Sequence, residues 1–285
     1  MTGTQRTWLV VNHASGSNEP DSIAELEHSC REIELDLARI VAFPDEPLPN
    51  AAQLDAAGAS LVAVFAGDGT VNAAITALAG WNGSVLALPG GTMNLLSKRL
   101  HGKRSAEQIV RLAGAGGATI VRPKIIACPM GTAFADLLAG PGTTWFDVRE
   151  ALREADFPAV AGSAAQAMGE TLVAPGIACR DPALGRAEGY PLVMLTPSDA
   201  GIRICGFHAE TPQEFLTGSW AVLRHRFREG PHDYLGMVEQ MTLASTEGAS
   251  FEVMLDGEKA ESPGSEVFRL VPCPVDLLAT RTDGR

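Results

Sequence analysis

The segment Ala66-Gly67-Asp68-Gly69-Thr70-Val71-Asn72 joins an apolar run, Leu61 to Ala66, to a stretch of helical periodicity. Two glycines let the backbone turn tightly and approach a ligand closely. The helix start that follows offers N–H groups and a positive dipole end. That combination suits a phosphate. Asp-Gly is also ordinary turn chemistry, so a ligand-free strand–helix turn is the plain alternative. Two familiar phosphate motifs are absent. No G-x-x-x-x-G-K-[ST] occurs, and the G-x-G-x-x-N pattern lacks both the third glycine of the dinucleotide fingerprint and the acidic residue expected about 20 positions on.

Pro89-Gly90-Gly91-Thr92-Met93-Asn94 repeats the arrangement one unit later: strand, glycine turn, threonine, helix. Thr92 reads as an N-cap whose hydroxyl serves the helix or a phosphate oxygen. Asn12-His13-Ala14-Ser15-Gly16 follows the first apolar run, which begins at Trp8. Adjacent parallel strands would bring all three loops to the carboxyl-end edge of one sheet, where α/β proteins bind ligands. No Asp or Glu occurs between Gly69 and Ala106, while Lys98, Arg99, Lys103 and Arg104 fall in that stretch. In a chain of net charge −12 this favours an anionic ligand; a chance shift of composition is the bland alternative.

The elements that must hold these loops alternate between two periods over the first 120 or so residues. Ser22 and Glu25 form a capping box for a first helix, and Ile33, Leu35 and Leu37 alternate as a second strand. A short Ala-rich helix runs between Pro49 and Gly58, followed by a strand at Leu61 to Ala66, a helix at Val71 to Ala79 and a strand at Val85 to Leu88. Helices at Thr92 to Leu100 and at Ser105 to Ala113 come next, the latter with a Ser105/Gln108 capping box. Such alternation predicts parallel β-α-β units.

Past Gly114-Ala115-Gly116-Gly117 the texture turns strand-like, at Tyr190 to Leu195, Ile202 to Phe207, Met237 to Ala244, Phe251 to Leu255 and Val267 to Val271. One amphipathic helix, Thr144 to Ala155, interrupts it. The prediction is an α/β domain over 1–118 with a parallel sheet, a mostly-β domain over 119–273, and 274–285 returning to the first. Phe251, Val253 and Leu255 present one apolar strand face, and Asp256-Gly257 reads as a hairpin turn, which on its own leaves Glu258 merely solvated.

Composition narrows the function classes. The chain has 285 residues, room for one large or two ordinary domains, and needs no disulfide or zinc to fold. Its five cysteines are scattered without a C-x-x-C pair, and its six histidines show no metal-ligand spacing, which reads as thiols in a reducing cytosol. With 34 acids against 22 Lys and Arg, nucleic acid is not an expected partner. No apolar stretch approaches a membrane span, and the first residues lack the regions of a signal peptide, so the expectation is a cytoplasmic protein.

Together, Asn12-His13-Ala14-Ser15-Gly16 (N-P-x-S-G), Ala66 to Asn72 (G-G-D-G-T-x-N), Pro89 to Asn94 (P-x-G-T-x-N) and Asp256-Gly257-Glu258 resemble the diacylglycerol kinase catalytic-domain family, which includes bacterial lipid kinases and sphingosine kinases. The resemblance implies an α/β nucleotide domain like those of NAD kinases and phosphofructokinases, then a β-sandwich lipid-substrate domain, with ATP in the cleft between them. It implies γ-phosphoryl transfer from ATP to a lipid hydroxyl, diacylglycerol- or sphingoid-like. It places Asn12, Ser15, Gly16, Gly67, Gly69, Thr70, Asn72, Gly91, Thr92 and Asn94 around the nucleotide. Asp68 becomes the Mg²⁺ ligand, directly or through water, and a catalytic residue, with Glu258 the base for the acceptor hydroxyl. The implied partner is a lipid at a membrane surface, met transiently and peripherally. A homodimer is left open.

The sequence departs from the family pattern at Ala66, in place of the first glycine, at Ala73, in place of an acid that often follows Asn72, and at His13, in place of a proline. Ala66 matters only if the backbone there needs positive φ. Two rivals stand beside the lipid kinase. One is a soluble-substrate kinase of the NAD-kinase type; the other is a catalytically weak nucleotide- or lipid-binding protein. Asp68, on a turn, is expected to contribute little to the core. The cluster Arg224, His225, Arg226 and Arg228 reads as a solvated face, and the Thr144 to Ala155 helix or the Val160 to Ala174 segment as the lining of an apolar cleft for an acyl chain. Asp233 matches only loosely the structural Mg²⁺ segment of some bacterial members, and that site is not predicted.

Overall fold

A computed structural model describes residues 5–13, 20–32, 36–144, 175–207 and 232–281. Ser15, Gly16, the 145–155 stretch, Val160 to Ala174 and the Arg224 cluster lie outside the described residues. The chain divides into two compact units, residues 1–124 with 272–285, and residues 125–271.

In chain order the first unit holds β1 (Arg6–Asn12), α1 (Pro20–Glu32), β2 (Asp36–Phe43), α2 (Ala51–Ala56), β3 (Leu61–Ala66), α3 (Asp68–Ala77), β4 (Ser84–Pro89), α4 (Leu95–His101), α5 (Ala106–Gly114) and β5 (Thr119–Val121). Then follow β6 (Lys124–Cys128), β7 (Gly131–Ala133), β8 (Leu137–Ala139), β9 (Ile177–Asp181), β10 (Ala183–Leu184), β11 (Leu192–Ser198) and β12 (Gly201–Phe207). The second unit continues with β13 (His232–Val238), β14 (Gln240–Ser245), β15 (Phe251–Leu255), β16 (Glu258–Ser262) and β17 (Ser265–Pro272), and β18 (Asp276–Ala279) comes last.

The first sheet has the order β2-β1-β3-β4-β18-β5, parallel throughout except for the antiparallel β5. Its centre explains itself: every residue of β3 is buried, as a strand covered on both faces requires. On one face Leu9, Val11, Phe65 and Leu88 pack with Leu26 of α1 and Ile109 of α5. The alternate residues Val10, Val62 and Val64 are equally buried. Asn50 and Gln53 form the capping box that starts α2, and Ser105 and Gln108 the one that starts α5.

Among the described residues the second unit holds two six-stranded sheets, β10-β9-β14-β17-β6-β7 and β13-β12-β11-β8-β15-β16. Their inward residues meet in one cluster, with Cys179, Leu243 and Phe268 from the first and Val193, Ile204 and Val253 from the second, which is the packing of a sandwich.

Several boundaries differ from expectation. Ser22 lies inside the first helix, Pro20–Glu32, rather than capping it. Of the expected second strand, Ile33 and Leu35 lie outside the described residues; β2 runs from Asp36 to Phe43 in parallel register on β1 (Asn12 opposite Phe43). Its half-covered edge position leaves a weak periodic signal. The Met237 to Ala244 run is two strands: β13 ends at Val238 in one sheet, and β14 starts at Gln240 in the other.

His101, the last residue of α4, is fully buried, and its Nδ1 accepts from the Thr280 N–H at 3.2 Å beyond the end of β18. Burial pushes its pKa down to about 4. The unfolded chain takes up a proton here below about pH 6.5 and the folded chain does not until about pH 4, so the stability His101 contributes is full above pH 6.5 and lost as pH falls between the two. The loss should total about 3 kcal/mol. Urea midpoints at pH 7 and pH 5 should differ less in His101→Gln than in the parent; equal pH slopes would contradict this assignment.

Candidate functional site

Of the three predicted loops, the structure describes two in full and the start of the third, and it brings them together. β1, β3 and β4 are adjacent and parallel, so their carboxyl ends share one edge. The Gly90 N–H donates to the Ala66 carbonyl at 3.2 Å, joining the two glycine turns. Gly91 lies so close to Gly67 that a Cβ on residue 91 would fall 2.4 Å from the Gly67 Cα. From β1, the Asn12 side-chain amide donates to the Thr70 hydroxyl at 2.8 Å.

α3 starts at Asp68 rather than Val71, so the G-D-G-T residues form its first turn. Its N-cap is Gly67, which offers no side chain to the N–H groups of that turn. Thr70 is buried and Thr92 exposed. Thr92 does not cap the next helix: α4 starts at Leu95, with Asn94 at its N-cap in the left-handed region (φ 51°). Asn94 brackets Gly91 instead, its Oδ1 accepting from the Gly91 N–H at 2.8 Å and its Nδ2 donating to the Gly91 carbonyl at 2.6 Å. Asparagine is one of the few residue types at ease in that conformation.

The cap of α4 comes from Asp68, 27 residues earlier. Its Oδ1 accepts from the Leu95 N–H at 2.7 Å and, more weakly, from that of Leu96 at 3.4 Å. The expectation that Asp68 adds little to the fold is therefore corrected: this carboxylate holds the start of α4, a role worth about 1 kcal/mol. Three of the four cations in the acid-free stretch are turned onto backbone carbonyls: Lys98 on Met93, Arg99 on Lys124 (3.0 Å) and Arg104 on His101. They complete loops and helix ends as well as setting the local charge.

Glu258 lies in the second unit, exposed at the first position of β16. Leu255 pairs with Glu258 across Asp256 and Gly257, whose φ values of 49° and 98° make the two-residue turn a tight hairpin end. Asp256 itself is buried, its carboxylate taken by backbone N–H groups of residues 134–136. Asp233 pairs with Arg186 at 3.3 Å and accepts from the Tyr190 hydroxyl at 3.0 Å. Among the described residues no three His, Cys, Asp or Glu side chains gather as a metal centre, and no helix is long and apolar enough to cross a membrane.

Sequence reasoning missed the Asp68 cap and the Asp256 anchor, because both join residues far apart in the chain. Asn94 it placed in a motif without its structural task. The contact at Gly91 is with backbone and cannot yield as a flexible side chain would. Gly91→Ala should therefore lower stability by about 1–3 kcal/mol, whereas Thr92→Ala, at the exposed neighbour, should stay within about 0.5 kcal/mol. Urea unfolding of the two variants checks this; equal effects would contradict the packing assignment.

Residues 6–122 match the family model of the diacylglycerol kinase catalytic domain. No protein of curated function matches the chain. Among solved structures, a diacylglycerol kinase from Bacillus anthracis str. Sterne is 15% identical and superimposes with a TM-score of 0.62, over 98% of this chain and 98% of that one. A further structure from that strain, whose diacylglycerol kinase assignment is provisional, is 17% identical at a TM-score of 0.60, covering 97% of this chain and 98% of its own. At such identities the likeness is one of fold. Over residues 6–122, which hold the two glycine turns and Asn12, the chain matches the diacylglycerol kinase catalytic domain, the family its motifs resemble.

Proposed function

We propose that this chain transfers the γ-phosphoryl group of ATP to the hydroxyl of a lipid, with Mg²⁺. The observation that carries the reading is the joined pair of glycine turns: Gly91 against Gly67, Gly90 bonded to Ala66 and Thr70 tied to Asn12, within a segment that matches a kinase catalytic domain. The start of α3 turns N–H groups and a helix dipole outward from that edge, the fixed donors that phosphoryl transfer relies on. Gly67, Gly69, Thr70, Asn72, Gly91 and Thr92 would surround the nucleotide's phosphates, and Asn12 and Asn94 would hold the loops that do so.

Mg²⁺, when bound, neutralises charge on the phosphate oxygens. Asp68 would hold it, directly or through water. A carboxylate offers about four lone-pair sites, so capping α4 and holding a cation are compatible. Glu258 would accept the proton of the lipid hydroxyl as its oxygen bonds to the γ-phosphorus and the bond to the β–γ bridging oxygen breaks, releasing ADP. The acceptor would be met at a membrane surface.

The test is transfer of labelled phosphate from ATP, with Mg²⁺, to mixed micelles of diacylglycerol, monoacylglycerol, sphingosine, ceramide or phosphatidylglycerol. Asp68→Asn is the proper blank, since it keeps an oxygen to cap α4 while losing the charge. One labelled lipid, lost in Asp68→Asn, is expected. Glu258→Gln should lower turnover at least about 100-fold with little change in ATP affinity. Transfer to NAD and to no lipid would overturn the lipid reading, and full activity in folded Asp68→Asn the metal role.

A further inference from the structure

Asp256 does more than the turn it sits in requires. A two-residue hairpin turn with both residues at positive φ is served as well by Asn-Gly, with no charge needed. Here the residue is 3% exposed, and its carboxylate is spent on three backbone donors. Oδ2 accepts from the Phe134 N–H at 2.6 Å, and Oδ1 from those of Ala135 at 2.8 Å and Asp136 at 2.9 Å. The Asp256 N–H in turn donates to the Asp136 carbonyl at 3.0 Å. The segment so gripped connects β7 to β8, and β8 is the strand paired with the other side of β15. Asp136 extends the grip, accepting from the Thr196 hydroxyl of β11 at 2.6 Å.

Two residues on from this anchor stands Glu258. It opens β16, the last strand in its sheet's order, which is hydrogen-bonded to β15. An exposed side chain at the start of an edge strand owes its place to the turn before it, and the turn owes its place to the carboxylate of Asp256. We infer that Asp256 is the positioning residue for Glu258, holding the hairpin tip so that the Glu258 carboxylate meets the acceptor hydroxyl. This rests on the reading of Glu258 as the base. In this reading Asp256 acts through the turn, and Glu258 is the base. Misplacement of a reacting group by about 1 Å can cost 100-fold in rate, so loss of the anchor should appear in turnover rather than in nucleotide binding.

The test is a double-mutant cycle on the full chain, with ATP and the lipids of the panel above. Asp256→Asn keeps a residue at ease with positive φ but sets an amide N–H₂ against backbone donors; Asp256→Gly, which keeps the turn and removes the side chain, is the second variant should the first not fold. In the Glu258 background either should lower kcat at least about tenfold while the KM for ATP stays within about twofold. In the Glu258→Gln background the same substitution should change kcat by less than about twofold, because there is no base left to misplace. An equal fall in both backgrounds, an unchanged kcat, or a change confined to KM would overturn the positioning role while leaving Glu258 as the base. Full turnover in Glu258→Gln, or no labelled lipid in the parent, would instead overturn the reading on which the inference rests, and the inference with it.

Discussion

The candidate site depends on a contact between two backbones. Gly91 rests against Gly67 at a separation that leaves no room for a side chain, and the Gly90 to Ala66 hydrogen bond fixes the same two turns a residue earlier. Once they touch, the rest of the edge follows. Asn94 can bracket both sides of Gly91, the Asp68 carboxylate comes within reach of the N–H groups that open α4, and Thr70 faces the amide of Asn12. The two glycine turns and the end of β1 are thereby one hydrogen-bonded unit. Fixed donors that need not reorganise stabilise developing charge far better than loose ones, which is what a phosphoryl-transfer site demands.

That unit places a negative charge at an unexpected point. Asp68 belongs to the first turn of α3 and also caps α4, so one carboxylate answers two helix N-termini. Both dipoles favour an anion there, and the protein supplies its own. If a phosphate binds at the same turn, as proposed, it would meet that carboxylate, and a divalent cation would be the simplest means of joining the two. The nearby basic side chains of Lys98, Arg99 and Arg104 are bonded to carbonyls, so their charge is built into loops rather than extended on long arms.

The parts legible in the sequence are those governed by local rules. β3 and β15 fall where their apolar pattern puts them, the Ser105/Gln108 box starts α5, and Asp256-Gly257 is the hairpin turn its residue types announce. The two glycine turns and the end of β1 share one edge because adjacent parallel strands leave no other arrangement. What was not legible was decided by distant partners. β2 takes its register from β1, and a strand break at Glu239 sends β13 and β14 into different sheets. α4 starts where a carboxylate 27 residues away can cap it, not where Thr92 offers a local cap. None of these leaves a mark in a window of neighbouring residues.

The same distinction bears on the departures from the family pattern. Among the described residues the non-glycine positions with positive φ are Asn94 and Asp256, each tied to backbone groups that demand it. Ala66 is not one of them. It ends β3 in extended pairing with Pro89 and is buried, so the position asks for a small residue and not for glycine. The first ground for suspecting a degenerate site therefore falls away. Ala73 lies exposed on α3, where an acid would alter charge and not packing. The motif residues thus divide by physical task. Gly67, Gly91, Asn94 and Asp256 are held by geometry, while Glu258 sits exposed on a tip that geometry has already fixed.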